Sequence, residues 1–182
     1  MTNTESAHDR IAFLRGLRAV RQFRSESIPD AAIDDILTVA RWSGSASNGQ
    51  PWELIVIRDR ATLQALAAIE SPVGNARHLA GAAVGIVLVM DGKRVDPDTY
   101  DEGRLSERIM LAAAAYGIGS CIGWFTGDGA TAAKTLLGIP EDRLVRTALS
   151  LGYPDEEAQR ARPKRDQPRK PLGEIVHQER YQ

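Results

Sequence analysis

The chain lacks most of the features that announce a chemistry. Its 182 residues include a single cysteine, Cys121, so no internal disulfide framework can form. That suits a reducing compartment, and a cytoplasmic location is expected. The three histidines, His8, His78 and His177, are far apart and lack metal-ligand spacing, so no metal site is expected. The formal net charge is -1, which offers no global attraction to nucleic acid or a membrane surface. The longest apolar stretch, Leu79 to Met90, is too short to span a bilayer, and Met1 to Arg10 is polar, without a signal core. There is no Ser/His/Asp signature. The adjacent carboxylates Asp34-Asp35 and Glu156-Glu157 would face different ways on a helix. Cys121 stands inside an apolar strand pattern with no histidine near it, which reads as a buried structural residue rather than a nucleophile.

What is present is one domain, residues 1–182, in which helices and strands interleave. Residues 1–8 are polar. Helices are expected over Asp9–Leu17, from Pro29 through Ala40, and over Ala61–Ile69, Tyr100–Tyr116 and Ala130–Leu137. Strands are expected at Leu54–Ile57, Ala83–Met90, Ser120–Phe125 and Val145–Leu151. The first two strands have no polar face, so helices must cover both sides of a small sheet. From Gly152 the chain turns polar, basic and proline-rich. Its end carries Ile175, Val176 and Tyr181, which favours docking of 153–182 on the domain or on a partner subunit.

The richest segment is Ser45-Ala46-Ser47-Asn48-Gly49-Gln50-Pro51-Trp52. It holds more hydrogen-bonding groups than a connector needs, between a helix and a strand, where binding sites are commonly carried. Arg18 and Arg21 are three apart, and on one helical turn they would face the same side and grip a phosphate; the alternative is a solvated basic face. The run from Arg160 to Lys170 holds six basic residues. It is a solvated tail, a nucleic-acid arm without the aromatics that stacking needs, or a segment whose Arg169 or Lys170 folds back to the phosphate site. Gly117-Ile118-Gly119 follows a helix and opens a strand, the reverse of a dinucleotide fingerprint. Gly123 would let a flat ligand lie against the strand, or all three glycines serve turns and packing. With no side-chain catalytic centre in view, a cofactor is expected to carry the chemistry.

In order and spacing these pieces resemble the flavin-dependent nitroreductase family. The resemblance rests on Arg18–Phe23, the helix opening Ile28-Pro29, Ser47-Asn48-Gly49-Gln50-Pro51-Trp52, Tyr116-Gly117-Ile118-Gly119-Ser120-Cys121, Leu137-Gly138-Ile139-Pro140, Leu151-Gly152-Tyr153-Pro154 and Arg169-Lys170-Pro171-Leu172. It implies an α+β fold, a three-layer α/β/α arrangement around a small central sheet, in an intertwined homodimer with FMN at the interface. It implies an NADH- or NADPH-dependent oxidoreductase passing hydride through the flavin to a nitroaromatic, quinone or related small acceptor. No partner of nucleic acid or membrane is implied. Specialised members that fragment flavin, dehalogenate or dehydrogenate are alternatives, as is a protein that only sequesters flavin. By matching motif, Arg18, Ala19 and Arg21 would meet the phosphate, joined by Arg169. Ser45, Ser47, Asn48 and Gln50 would reach the ring's rim or the partner's flavin. The backbone at Ile122, Gly123 and Trp124 would lie beside the reactive nitrogen, and Arg77 near the pyrimidine end. Ala19 stands where the family commonly has a hydroxyl, and Leu17 where it often has a second basic residue.

Overall fold

A computed structural model describes residues 6–163 and 168–181. Residues 1–5 of the polar N-terminal segment and 164–167 of the basic run lie outside the described residues.

Helix α1, Ala7–Gly16, starts at a reciprocal cap. The Asp9 N–H donates to Ser6 Oγ at 3.1 Å, and the Ser6 N–H donates to the Asp9 carboxylate at 3.0 Å. Helix α2, Asp30–Arg41, follows Pro29 and buries Ile33, Ile36 and Ala40, with Leu37 partly covered. Strand β1, Trp52–Ile57, leads to α3, Arg60–Ala68, capped by the Asp59 carboxylate. Strand β2, Val84–Met90, is buried at all seven positions. Helix α4, Val95–Ala115, ends where Gly117 takes φ +68°, with the Ile118 N–H donating to the Ala113 carbonyl at 3.0 Å and the Gly117 N–H to Ala114 at 2.9 Å. This left-handed stop turns the chain directly into β3, Gly119–Trp124. Helix α5, Asp128–Leu137, strand β4, Leu144–Gly152, and helix α6, Glu156–Ala161, complete the order.

The four strands run in the order β1-β2-β4-β3, and every neighbouring pair is antiparallel. Alternate residues of β2 feed two cores. Ile86 and Leu88 join Ile36, Ile109 and Leu149 under α2 and α4. Val87 and Val89 join Leu63, Leu66, Phe125 and Ala148 on the α3 and α5 side. The fold is therefore α+β, with helices on both faces of a small sheet.

Three expectations need correction. Strand β1 is only partly buried: it is an edge strand whose Leu54 and Val56 pack against one core and Ile55 and Ile57 against the other, with Ile57 alone fully buried. Helix α4 begins at Val95 rather than Tyr100, because Pro97 sits in the first turn, where a missing N–H costs nothing, beside Asp96 and Asp98 at the positive end of the dipole. The polar segment after Gly152 contains α6, nucleated by Asp155, whose carboxylate accepts the Ala158 N–H at 2.9 Å. Beyond it, Leu172, Ile175, Val176 and Tyr181 stay exposed on the single chain, as do Ile11, Phe13 and Leu14 of α1.

Candidate functional site

Gly119 and Gly152 set where the arginine segment runs. After α1 the chain is extended: Ala19 bridges Ser120, the Val20 N–H donates to the Ser120 carbonyl at 2.8 Å, and Phe23 bridges Pro154. A Cβ at Gly119 would stand 2.7 Å from Val20, and one at Gly152 would stand 2.8 Å from Phe23. Only at glycine can the segment lie this close. Gln159 of α6 bonds its backbone from the other side, accepting from the Arg21 N–H and donating to the Ala19 carbonyl, both at 3.4 Å.

This geometry corrects the expected pairing of Arg18 with Arg21. They are not on a helical turn, and in extended chain residues three apart point to opposite sides. Arg18 lines a cavity of about 550 Å³ with Arg15, Ala19, Glu107 and Arg169. Arg21 lines another, of about 310 Å³, with Asn75, His78, Ile122 and Trp124. Arg18 and Arg169, far apart along the chain, line the same cavity. Arg18 is held by donating through Nη1 to the carbonyls of Arg15 and Leu17, each at 2.7 Å. Arg15 escaped the sequence reading, although its place in the last turn of α1, three residues before Arg18, was a usable signal.

The loop after α2 is strained. Ser47, Asn48 and Gln50 have φ of +54°, +54° and +47°, in the left-handed region that side chains avoid. Each such residue costs on the order of 1–3 kcal/mol, and strain of this kind clusters where a loop contacts ligand. The Gln50 N–H donates to Ser45 Oγ at 2.9 Å, and Gln50 Nε2 donates to the Asn48 carbonyl at 3.3 Å. Helix α4 clamps the loop from below. Buried Asp101 accepts the Ala46 N–H at 2.9 Å, and Arg94 donates to the Ala46 carbonyl at 3.2 Å. Neither residue was marked by sequence. The loop lines neither arginine cavity of its own chain.

On the edge strand β3, Ile122 and Trp124 are exposed, at 38% and 52%. At Gly123 the packing alternative holds, rather than room for a flat ligand. Its Cβ position is 2.8 Å from Ala76 Cα, so the missing side chain admits the 75–76 backbone instead. Alternate amides of an edge strand face outward. The Trp124 N–H is taken by the Asn75 carbonyl at 3.2 Å, and the Phe125 N–H turns inward to the Arg146 carbonyl at 2.8 Å. By the same alternation the Ile122 amide, two residues earlier on the strand, faces outward like that of Trp124. Arg77 begins a short 3-10 turn, exposed, its N–H on Asn75 Oδ1 at 3.3 Å.

Behind Ile122, His78 Nδ1 lies 2.7 Å from Ser150 Oγ. Burial pushes its pKa down to about 4, with the positive charges of Arg21 and Arg162 adding to the effect and the Ile122 carbonyl opposing it. The folded-state value lies below the ordinary 6.5, so the neutral ring stabilises the fold. That contribution is fully present above pH 6.5 and is lost as pH falls towards 4, because the unfolded chain takes up the proton first. The loss should be on the order of 2 kcal/mol, allowing for partial exposure. Urea unfolding at pH 7 and pH 4.5 should show it, and His78→Gln should flatten the difference; equal pH slopes in both proteins would refute the assignment. Cys121 is buried, and burial raises its thiol pKa, as a structural residue requires.

Among the described residues no helix is long and apolar enough to cross a membrane. Residues 14–81 match the profile of the Nitroreductase family. A protein of Archaeoglobus fulgidus that bears the name NADH dehydrogenase/NAD(P)H nitroreductase is 36% identical over 146 residues, covering 77% of this chain and 82% of its own. The oxygen-insensitive NADPH nitroreductase of Salmonella typhimurium is 28% identical over 187 residues, covering 94% of this chain and 74% of its own. The solved structure of an FMN-dependent nitroreductase from Clostridium difficile R20291 superposes with a TM-score of 0.79 at 23% identity, covering 94% of this chain and 99% of that one.

Proposed function

Since this chain belongs to the nitroreductase family, we propose that it is an FMN-dependent NAD(P)H oxidoreductase that reduces nitroaromatics, quinones or related small acceptors, working as a homodimer. The observation that carries the reading is the convergence of Arg15, Arg18 and Arg169 on one cavity, whose Ala19 wall bridges Ser120 at the start of β3. Three guanidinium groups with one opposing carboxylate, Glu107, form a donor set suited to a phosphate dianion.

Arg15, Arg18 and Arg169 hold the phosphate. Arg21 and Asn75 would meet the ring at the cavity that Arg21 lines, where Ile122 and Trp124 would supply apolar surface, and Arg77 would stand by its pyrimidine end. The outward Ile122 amide is the main-chain donor for the reactive nitrogen, since those of Trp124 and Phe125 are engaged. Ala19 adds backbone only. A flavin held there would supply the hydride-transfer chemistry between NADH or NADPH and a second substrate, and one site shared in turn by the two would give ping-pong kinetics. The loop bearing Ser45, Ser47, Asn48 and Gln50 serves the partner subunit's site. The bare apolar side of α1 and the exposed Leu172, Ile175 and Val176 support that pairing.

The purified protein should be yellow, elute at twice the chain mass, bleach under NADH or NADPH without oxygen, and recover colour on adding a quinone or nitrofurazone. A protein that stays colourless after incubation with FMN overturns the reading. A yellow one that bleaches only over hours is a flavin-sequestering protein instead.

A further inference from the structure

The strained loop after α2 does not hold itself. Within it the Asn48 N–H donates to the Ser45 carbonyl at 3.1 Å and the Gly49 N–H to the Ala46 carbonyl at 3.0 Å. Bonds between such near neighbours suit many turn conformations and do not oblige Ser47, Asn48 and Gln50 to stand at positive φ. The outside hold is on Ala46. Both of its backbone polar groups are taken by α4: the N–H by Asp101 Oδ2 at 2.9 Å and the carbonyl by Arg94 Nη2 at 3.2 Å. Asp101 is fixed for this, its side chain 3% exposed and its other oxygen, Oδ1, accepting from Arg104 Nη1 at 3.4 Å. Arg94 is fixed by fully buried Asp98, whose Oδ2 accepts the Arg94 N–H at 3.2 Å. The loop makes room for both cations. A side chain at Gly44 would overlap the Arg104 guanidinium, and a Cβ at Gly49 would stand 3.3 Å from Arg94 Nη2. With the peptide groups on both sides of Ala46 tied down, residues 47–50 return to β1 through the left-handed region. A buried carboxylate and a strained backbone both oppose folding, so their combination is accounted for by what the loop does rather than by stability.

We propose that Asp101 is a positioning residue: through Ala46 it holds Ser47, Asn48 and Gln50 in the backbone arrangement that presents their side chains to the flavin ring of the partner subunit's site, without touching the flavin itself. The inference rests on the FMN reading for what the loop meets, and on the bonds to Ala46 for the hold. Arg94 is the other half of that hold.

Amide exchange in the flavin-free protein reads the hold. In Asp101→Ala the amides of Gly49 and Gln50 should exchange roughly tenfold faster, while those of β2 keep wild-type rates. Glu102→Ala is the comparator: it removes an equally buried carboxylate of α4 that pairs with Arg146 at 2.6 Å instead, and it should leave loop exchange unchanged. Titration with FMN and with riboflavin reads the consequence. Asp101→Ala should weaken both alike, by roughly tenfold, and Asp101→Asn, which keeps an acceptor for the Ala46 N–H, should recover most of the loss. A double-mutant cycle separates positioning from stability. In a loop carrying Ser47→Gly, Asn48→Gly and Gln50→Gly the side chains are gone and the strain is relieved, so Asp101→Ala should then change flavin affinity by less than about twofold. A role confined to stability would cost the same in both backgrounds. Equal costs there, or wild-type loop exchange in Asp101→Ala, overturns the proposal. Arg94→Ala frees the Ala46 carbonyl from the exposed side and is carried through the same measurements, should Asp101→Ala not fold. A wild type that binds no flavin, with loop exchange still accelerated in Asp101→Ala, refutes the cofactor reading and with it the flavin as the loop's object, while the hold itself stands.

Discussion

Arg18→Ala is expected to weaken FMN binding roughly 10- to 150-fold while barely changing riboflavin binding. A charge-assisted hydrogen bond contributes about 1.5–3 kcal/mol, and each 1.4 kcal/mol is tenfold in affinity. Arg18 should lie towards the top of that range. Its guanidinium is fixed in advance by two 2.7 Å bonds to the carbonyls of Arg15 and Leu17, so little side-chain freedom is lost on binding. Arg169 has no such anchor among the described residues and should lie towards the bottom, as exposed charges generally do. Arg18→Lys should fall between, since a lysine cannot hold the two carbonyls and present a planar fork together. Riboflavin lacks the phosphate and separates the two cavities: Arg21→Ala should weaken FMN and riboflavin alike, because Arg21 faces the other cavity. Fluorescence titration of the four proteins with both ligands decides it. An FMN-to-riboflavin ratio that Arg18→Ala leaves intact would remove the phosphate from this cavity.

Gly152→Ala should destabilise the protein by about 1–3 kcal/mol and weaken FMN binding, although residue 152 touches no proposed ligand. The new methyl would stand 2.8 Å from Phe23 Cγ and 2.9 Å from Phe23 Cβ, and overpacking of this kind costs about that much. Phe23 cannot retreat alone. Arg24 donates to the Tyr153 carbonyl and Val20 to the Ser120 carbonyl, so the stretch carrying Arg18 and Arg21 moves with it. Gly119→Ala acts on the same stretch through Val20 and should behave likewise. Gly16→Ala is the comparator: nothing lies within 4 Å of its Cβ, and it should match or exceed wild type in stability with FMN affinity intact. Urea denaturation and flavin titration on the same samples give both readouts. Wild-type stability and affinity in Gly152→Ala would show that the segment is not held by this contact.

Much of this architecture was legible because hydrophobic period and helix punctuation are local. The continuous run Val84–Met90 and the stripe Ile33, Ile36, Ala40 announced a central strand and its covering helix, and Gly117 announced a stop. The loop after α2 stood out by composition. What failed depended on tertiary context. Arg18 and Arg21 could be given a common side only by assuming helix beyond Gly16, whereas pairing with Ser120 draws the chain straight. Gly123 could be read equally as room for a ligand or as a packing glycine, because sequence cannot show that Ala76 fills the space. Asp101, Glu102 and Arg146 looked like ordinary polar positions, and nothing along the chain reports that they are drawn inward beneath the loop and between α4 and β4.

The strained loop has a consequence for anyone who engineers this protein. Glycine at residue 47 or 50 would relax a backbone that serine and glutamine occupy only under tension, so a library screened solely for survival on heating should be enriched in Ser47→Gly and Gln50→Gly. Those winners would surrender the side chains the tension holds in place. Heat tolerance and ligand grip should therefore trade against each other here, within four consecutive residues, and a screen that scores only one will lose the other.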